Sequence, residues 1–122
     1  MRTYISYEVS KRLKEFLGES APCPADNLFY CPTEFDKPGK APAIIEEFEI
    51  LDGYEGFPAY QLHDLLSKPF CEALAKRLPN SPIRYFNLFK ARTSSEILSE
   101  NYYSGGLSAV EKELMKMIME DR

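Results

Sequence analysis

Tryptophan is absent from the 122 residues, histidine occurs once and glycine only six times. No phosphate-cradling loop or dinucleotide-binding fingerprint is present. No stretch approaches the run of about 18 apolar residues that a membrane helix needs, and the first residues lack the apolar core of a signal peptide. We therefore expect a soluble cytosolic protein with no membrane partner.

Thiol and imidazole groups are equally scarce, being confined to Cys23, Cys31, His63 and Cys71. Three cysteines cannot all pair within one chain, and a reducing compartment keeps them as free thiols. Their spacing with His63 lacks the close ligand pairs of structural zinc sites. Cys71 also lacks the glycine turn of a catalytic nucleophile. The sequence thus predicts a non-enzymatic protein without cofactor or metal, with a Cys/His enzyme or metal site as the third hypothesis.

The composition is that of one globular domain spanning residues 1–122, with 44% apolar and 28% charged residues. Charge is unevenly distributed. Residues 1–40, 41–67, 68–92 and 93–122 carry net charges of 0, −6, +5 and −3, and residues 41–67 contain no Lys or Arg. Adjacent acidic and basic blocks indicate complementary surfaces within one fold, or a basic face for a polyanion.

Helical periodicity is clearest near the two ends of the chain. Apolar residues at helical spacing predict a helix over about 6–17, with Ser6 as N-cap and Gly18 beyond its C-terminus. A second stripe, introduced by the capping-box pattern at 108–111, predicts a C-terminal helix. Between these helices, residues 18–43 hold five of the nine prolines and form the least regular stretch, with one short strand at 28–31.

Two longer strands are predicted at 43–51 and 83–90, where apolar residues alternate with polar ones. The first places Phe48 and Ile50 on one face. Phe57-Pro58 is predicted to open a helix that breaks near Ser67, which caps a further helix. Because the two strands differ in charge, we expect them to be neighbours. The expected fold is α+β, with a small two- to four-stranded sheet and three to four helices packed on one face.

Two other groups of side chains offer binding chemistry. Glu46, Glu47 and Glu49 could act as paired carboxylates, although solvated strand glutamates are common. A basic–aromatic segment at 83–92 resembles the way that single-stranded nucleic acid is held, with bases on rings and phosphates on cations. The residues of this alternative nucleic-acid site are Arg84, Tyr85, Lys90 and Arg92.

The segment from Phe57 to Leu66, followed by an aromatic strand and an amphipathic final helix, resembles short uncharacterised proteins of prophages and mobile elements in gut Bacteroidetes. The resemblance covers the C-terminal half. It departs from that group at Pro69, where the helix usually continues, and in lacking tryptophan. It implies a small α+β fold and a mobile-element setting, and no activity.

The favoured function is a non-enzymatic accessory domain that binds another protein or itself. Aromatic residues among prolines and glycines are typical of contact surfaces. The proline-rich loop and the loop from 54 to 60 contain the predicted contact residues, which are Phe29, Tyr30, Phe35, Tyr54, Phe57 and Tyr60.

Overall fold

The computed structural model describes residues 3–65, 67–77 and 107–119. Within them, three antiparallel strands and several helices confirm the expected α+β class. The predicted strand at 83–90 and its pairing with 43–51 lie outside the described residues.

The first helix, α1, spans Tyr7–Leu17, as its apolar spacing predicts. The Ser6 hydroxyl accepts a hydrogen bond from the Val9 amide at 3.3 Å, which satisfies one of the unpaired donors at the helix N-terminus. Gly18 ends the helix at φ +58°, a left-handed conformation that glycine adopts without a Cβ clash. Both predicted caps are therefore confirmed.

The predicted short strand is the centre of the sheet. This strand, β1 (Leu28–Tyr30), lies between β2 (Ile44–Glu46) and β3 (Phe57–Pro58), and both pairings are antiparallel. Tyr30 and Phe57 share the face on which the Tyr7 ring of α1 packs, with ring centroids 5.6 and 5.8 Å away. α1 therefore covers this face of β1 and β3.

The prediction that Phe57-Pro58 opens a helix is wrong, because these residues form β3. The amide of Ala59 donates to the Leu28 carbonyl, so Pro58 occupies the intervening position whose nitrogen points away from β1. Proline costs no ladder hydrogen bond there. Its carbonyl accepts a hydrogen bond from the buried Ser10 hydroxyl, which ties β3 to α1. Helical structure begins later, in the four-residue α2 (Leu62–Leu65).

The predicted strand over 43–51 is too long. Pairing ends at Glu46, and Glu47–Glu49 form a turn of 3₁₀ helix. The side chains of Glu46 and Glu49 cap each other's backbone reciprocally, and the Glu47 amide donates to the Asn27 carbonyl at 2.9 Å. The bond from Glu47 continues the register of β1 and β2, and the reciprocal capping then turns the backbone into the 3₁₀ helix.

Two further helices complete the described core. The predicted break at Ser67 is confirmed, since α3 (Lys68–Arg77) begins there and the Ser67 hydroxyl accepts from the Phe70 amide. The predicted C-terminal helix, α4, covers 107–119; Ser108, predicted as its cap, lies inside it. The apolar stripes of α1, α3 and α4 pack together with Tyr60 and Leu65 in one buried cluster.

Candidate interaction surface

The 3₁₀ turn after β2 directs apolar side chains into solvent. Phe48 is 81% exposed and Leu51 is 70% exposed, whereas Ile50 between them is partly buried. Ile50 and the backbone of Gly56 pack beside Phe29. A Cβ added to Gly56 would lie 2.6 Å from Ile50 Cδ1 and 3.2 Å from Phe29 Cβ. The predicted sharing of one face by Phe48 and Ile50 is therefore wrong, because the helical turn replaces the alternation of a strand.

Acidic groups surround these two exposed side chains along the chain. Glu46, Glu47 and Glu49 are exposed, as are Asp52 and Glu55, and no Lys or Arg occurs between 41 and 67. Among the described residues, none of the five carboxylates forms an ion pair. We call Phe48, Leu51, Glu46, Glu47 and Glu49 together the acidic–apolar surface. It offers an apolar contact with negative charge beside it.

Three of the predicted contact residues are buried and belong to the fold. Phe29, Tyr30 and Tyr60 are 7%, 6% and 1% exposed, so the expectation that they form a surface is wrong. Their burial is possible because the two phenols find backbone partners. The Tyr30 hydroxyl donates to the Ile5 carbonyl and the Tyr60 hydroxyl to the Pro22 carbonyl, each at 2.6 Å.

The other three predicted contact residues are more accessible. Tyr54 and Phe57 are partly buried, and Phe35 is 82% exposed. Phe35 lies in a turn closed by hydrogen bonds from Thr33 to the Asp36 carboxylate. Lys37 and Lys40 follow directly, so this loop carries charge of both signs. Phe35 is thus an exposed aromatic ring in a different electrostatic setting from Phe48.

Cys71 has the surroundings of a structural thiol. Its sulfur donates to the Leu65 carbonyl at 3.4 Å, and burial raises the pKa of the thiol to about 11. It is therefore protonated near neutral pH, where a nucleophile needs the thiolate. Cys23 is exposed and Cys31 buried, both as free thiols. Across 3–65, 67–77 and 107–119, no group of three or more His, Cys, Asp or Glu side chains is arranged to hold a metal ion.

Asp64 is a buried carboxylate that sequence inspection did not single out as a structural group. It is 5% exposed and accepts backbone hydrogen bonds from Ala25 and Gln61, both at 2.9 Å. His63 Nε2 lies 3.6 Å away, with its side chain 56% exposed. Burial, and then the nearby Asp64 and Cys23, raise the pKa of Tyr60 above its ordinary value. Asp64 thus joins the start of α2 to the proline-rich stretch.

A groove runs beside α1 and α4, with a volume of about 520 Å³. Val9, Met115 and Met119 supply its apolar lining, and the exposed Lys112 and Lys116 supply its charge. Its acidic lining residue, Glu111, is 6% exposed and accepts a 3.0 Å hydrogen bond from the Ser6 amide. Met119 is 61% exposed. The apolar stripe predicted for this helix did not include it and consists of Val110, Leu114, Met117 and Ile118.

The basic–aromatic residues of the nucleic-acid alternative, Arg84, Tyr85, Lys90 and Arg92, all fall outside the described residues. Within the described ranges, every helix is too short or too polar to cross a membrane.

Comparison with protein-family models, with curated proteins and with solved structures gives no match for this chain. The resemblance of its C-terminal half to mobile-element proteins therefore stays a prediction.

Proposed function

We propose that this chain is a non-enzymatic protein-interaction domain, and that it binds through the acidic–apolar surface. The observation that carries the proposal is the exposure of Phe48 (81%) and Leu51 (70%) within a stretch without Lys or Arg. Exposed large apolar side chains that are close in the chain favour an apolar patch, and apolar patches mark contact sites. Aromatic anchors of this kind supply much of the binding energy at protein interfaces.

The charge of the surface defines the chemistry of its partner. Glu46, Glu47 and Glu49 favour a partner that brings Lys or Arg beside an apolar anchor. A symmetric dimer that used this surface twice would place the three glutamates of each copy against their equivalents. Such like-charge contacts oppose association. The partner is therefore a basic–apolar surface, different from the acidic–apolar surface itself.

Defined peptides test this proposal. The probe is a fluorescein-labelled amphipathic peptide of lysine and leucine, and a glutamate–leucine peptide of equal length is its counterpart. Anisotropy titrations would be run at low and at moderate salt. We expect the lysine peptide to bind through Phe48, and its Kd to rise as salt screens the carboxylates.

Paired alanine variants locate the binding. Phe48→Ala should raise the Kd of the lysine peptide by at least about tenfold, or ~1.4 kcal/mol. Phe35→Ala is the matched control, because Phe35 is equally exposed (82%) but sits beside lysines, and it should leave the Kd unchanged. Equal effects of the two variants on the Kd of the lysine peptide would refute the proposal, as would binding of the glutamate peptide that depends on Phe48 to the same extent.

The nucleic-acid hypothesis, with Arg84, Tyr85, Lys90 and Arg92 as its residues, uses the same assay with a labelled single-stranded oligonucleotide. Binding that falls steeply with salt and is lost on Arg84→Ala, while the lysine peptide does not bind, would favour this alternative over the protein-interaction function.

A further inference from the structure

The groove beside α1 and α4 has the features that the proposed partner requires. Val9, Met115 and Met119 give an apolar floor, with the exposed ammonium groups of Lys112 and Lys116 beside it. Unbranched methionine side chains adapt their shape to an inserted ring.

The carboxylate that lines the groove, that of Glu111, already accepts a hydrogen bond within the protein. The Glu111 carboxylate is 6% exposed and accepts the amide of Ser6 at the start of α1. An incoming molecule therefore meets mainly the two lysines, which are exposed. The groove is therefore a basic–apolar site, and its charge is opposite to that of the acidic–apolar surface.

The two surfaces lie on opposite sides of β1. α1 packs on the face that carries Tyr30 and Phe57. Ile50 and Gly56 instead close over Phe29, whose side chain points to the other face by the alternation of a strand. The turn that carries Phe48 and Leu51 therefore adjoins the face of β1 opposite to the one that α1 covers. The proposed contact is one between two molecules.

We propose that the groove of one molecule binds the acidic–apolar surface of a second copy of this chain. Phe48 and Leu51 of one copy insert against Met115 and Met119 of the other, and Glu47 and Glu49 face Lys112 and Lys116. The inference rests on the proposed function, because it uses the same acidic–apolar surface and supplies its partner. The contact joins two different surfaces, so each molecule can bind one neighbour on either side, in an open chain or a closed ring.

Two charge-reversed proteins test this arrangement by complementation. Glu47→Lys/Glu49→Lys disables the acidic–apolar surface and keeps the groove, and Lys112→Glu/Lys116→Glu disables the groove and keeps the surface. In sedimentation equilibrium over about a hundredfold concentration range, wild type should form assemblies whose mass grows with concentration. Each variant alone should stay monomeric, with its association weakened at least about tenfold. An equal mixture should again form assemblies whose mass grows with concentration. The intact groove of the first variant meets the intact acidic–apolar surface of the second, and at the other contact the introduced lysines face the introduced glutamates.

Lys68→Glu/Glu72→Lys is the matched control, since it reverses two charges of an exposed i,i+4 pair on α3, and neither residue belongs to the groove or to the acidic–apolar surface. It should assemble like wild type, and circular dichroism checks that every variant is folded. Wild type that stays monomeric at all concentrations, or a mixture that stays monomeric, overturns the inference. If the lysine–leucine peptide still binds through Phe48 in that case, the proposed function stands and only the self-association fails.

Discussion

Replacing Asp64 by asparagine should destabilise the protein markedly, although no surface changes. The carboxylate is 5% exposed and accepts one amide from the proline-rich stretch, that of Ala25, and one from the start of α2, that of Gln61. Hydrogen bonds to a charged group contribute about 1.5–3 kcal/mol each. Asparagine keeps one acceptor oxygen and turns an NH₂ group toward the other amide, so one bond is lost and one buried donor is left without a partner.

The expected loss for Asp64→Asn is therefore about 2–4 kcal/mol, a large part of the ~5–15 kcal/mol stability of a typical domain. Urea denaturation followed by far-UV circular dichroism measures it, since the chain has no tryptophan to serve as a fluorescence probe. Asp26→Asn is the control, because Asp26 accepts a hydrogen bond from Gln61 Nε2 at 2.6 Å in an exposed position. It should cost less than about 0.5 kcal/mol.

A loss below about 0.5 kcal/mol for Asp64→Asn, or one equal to that of Asp26→Asn, would refute the reasoning. Hydrogen exchange gives a second readout. The amide of Ala25 should lose protection selectively in Asp64→Asn, because its acceptor is the side chain that changes.

Three further outcomes follow from buried contacts. Gly56→Ala should cost about 1 kcal/mol in urea denaturation, because its Cβ would lie 3.2 Å from Phe29 Cβ, which moves only with the β1 backbone. Ile50 Cδ1, at 2.6 Å, is the end of a side chain that can rotate away. A variant as stable as wild type would contradict this account. Burial raises the pKa of the Cys71 thiol from 9.0 to about 11, so at pH 8 it should react with iodoacetamide about 100-fold more slowly than in the urea-unfolded chain. Mass spectrometry measures this rate, which should continue to rise above pH 9. A rate within threefold of that of the unfolded chain would contradict the raised pKa. Ser10→Ala should lower the free energy of unfolding by about 1–3 kcal/mol, because the buried Ser10 hydroxyl donates to a β3 carbonyl. Alanine at the exposed Ser20 should change it little, and similar losses at both sites would contradict this account.

The elements that the sequence predicts well are those defined by adjacent residues. α1 has its apolar stripe, its serine cap and its terminal glycine within thirteen residues, so each signal supports the others. Ser67 and Pro69 likewise locate the start of α3 from local chemistry alone. The strand at 28–30 is also predicted, because a short apolar run between prolines leaves little alternative.

The errors arise where one local signal fits two structures. A proline after Phe57 suits the first turn of a helix and also a strand position whose nitrogen points outward, and only pairing with β1 decides between them. The alternation at 44–51 suggests a strand, but Glu46 and Glu49 cap each other and turn the chain. That turn exposes Phe48, so the candidate surface was missed for the same reason. The signal available in the sequence was the pair Glu46 and Glu49, which are spaced as the N-cap and the third residue of a capping box.

Tyr30 and Tyr60 show why aromatic residues near prolines were misjudged as surface. Each buries its ring and directs its hydroxyl to a carbonyl far along the chain, in Ile5 and Pro22. Such acceptors are set by tertiary structure and leave no trace in neighbouring residues. Phe35 instead lies in a stretch of exposed residues and projects into solvent, 82% exposed.

The hydrogen bond from Ser6 to Glu111 joins positions 105 residues apart, and Val9 and Leu13 of α1 share their buried cluster with α4. During translation the first helix therefore leaves the ribosome long before α4 can cover it. A ribosome that stalls before α4 is synthesised releases a chain in which the apolar stripe of α1 lacks that cover. We expect such fragments to be captured by chaperones and degraded, so production of functional protein depends on the synthesis of α4.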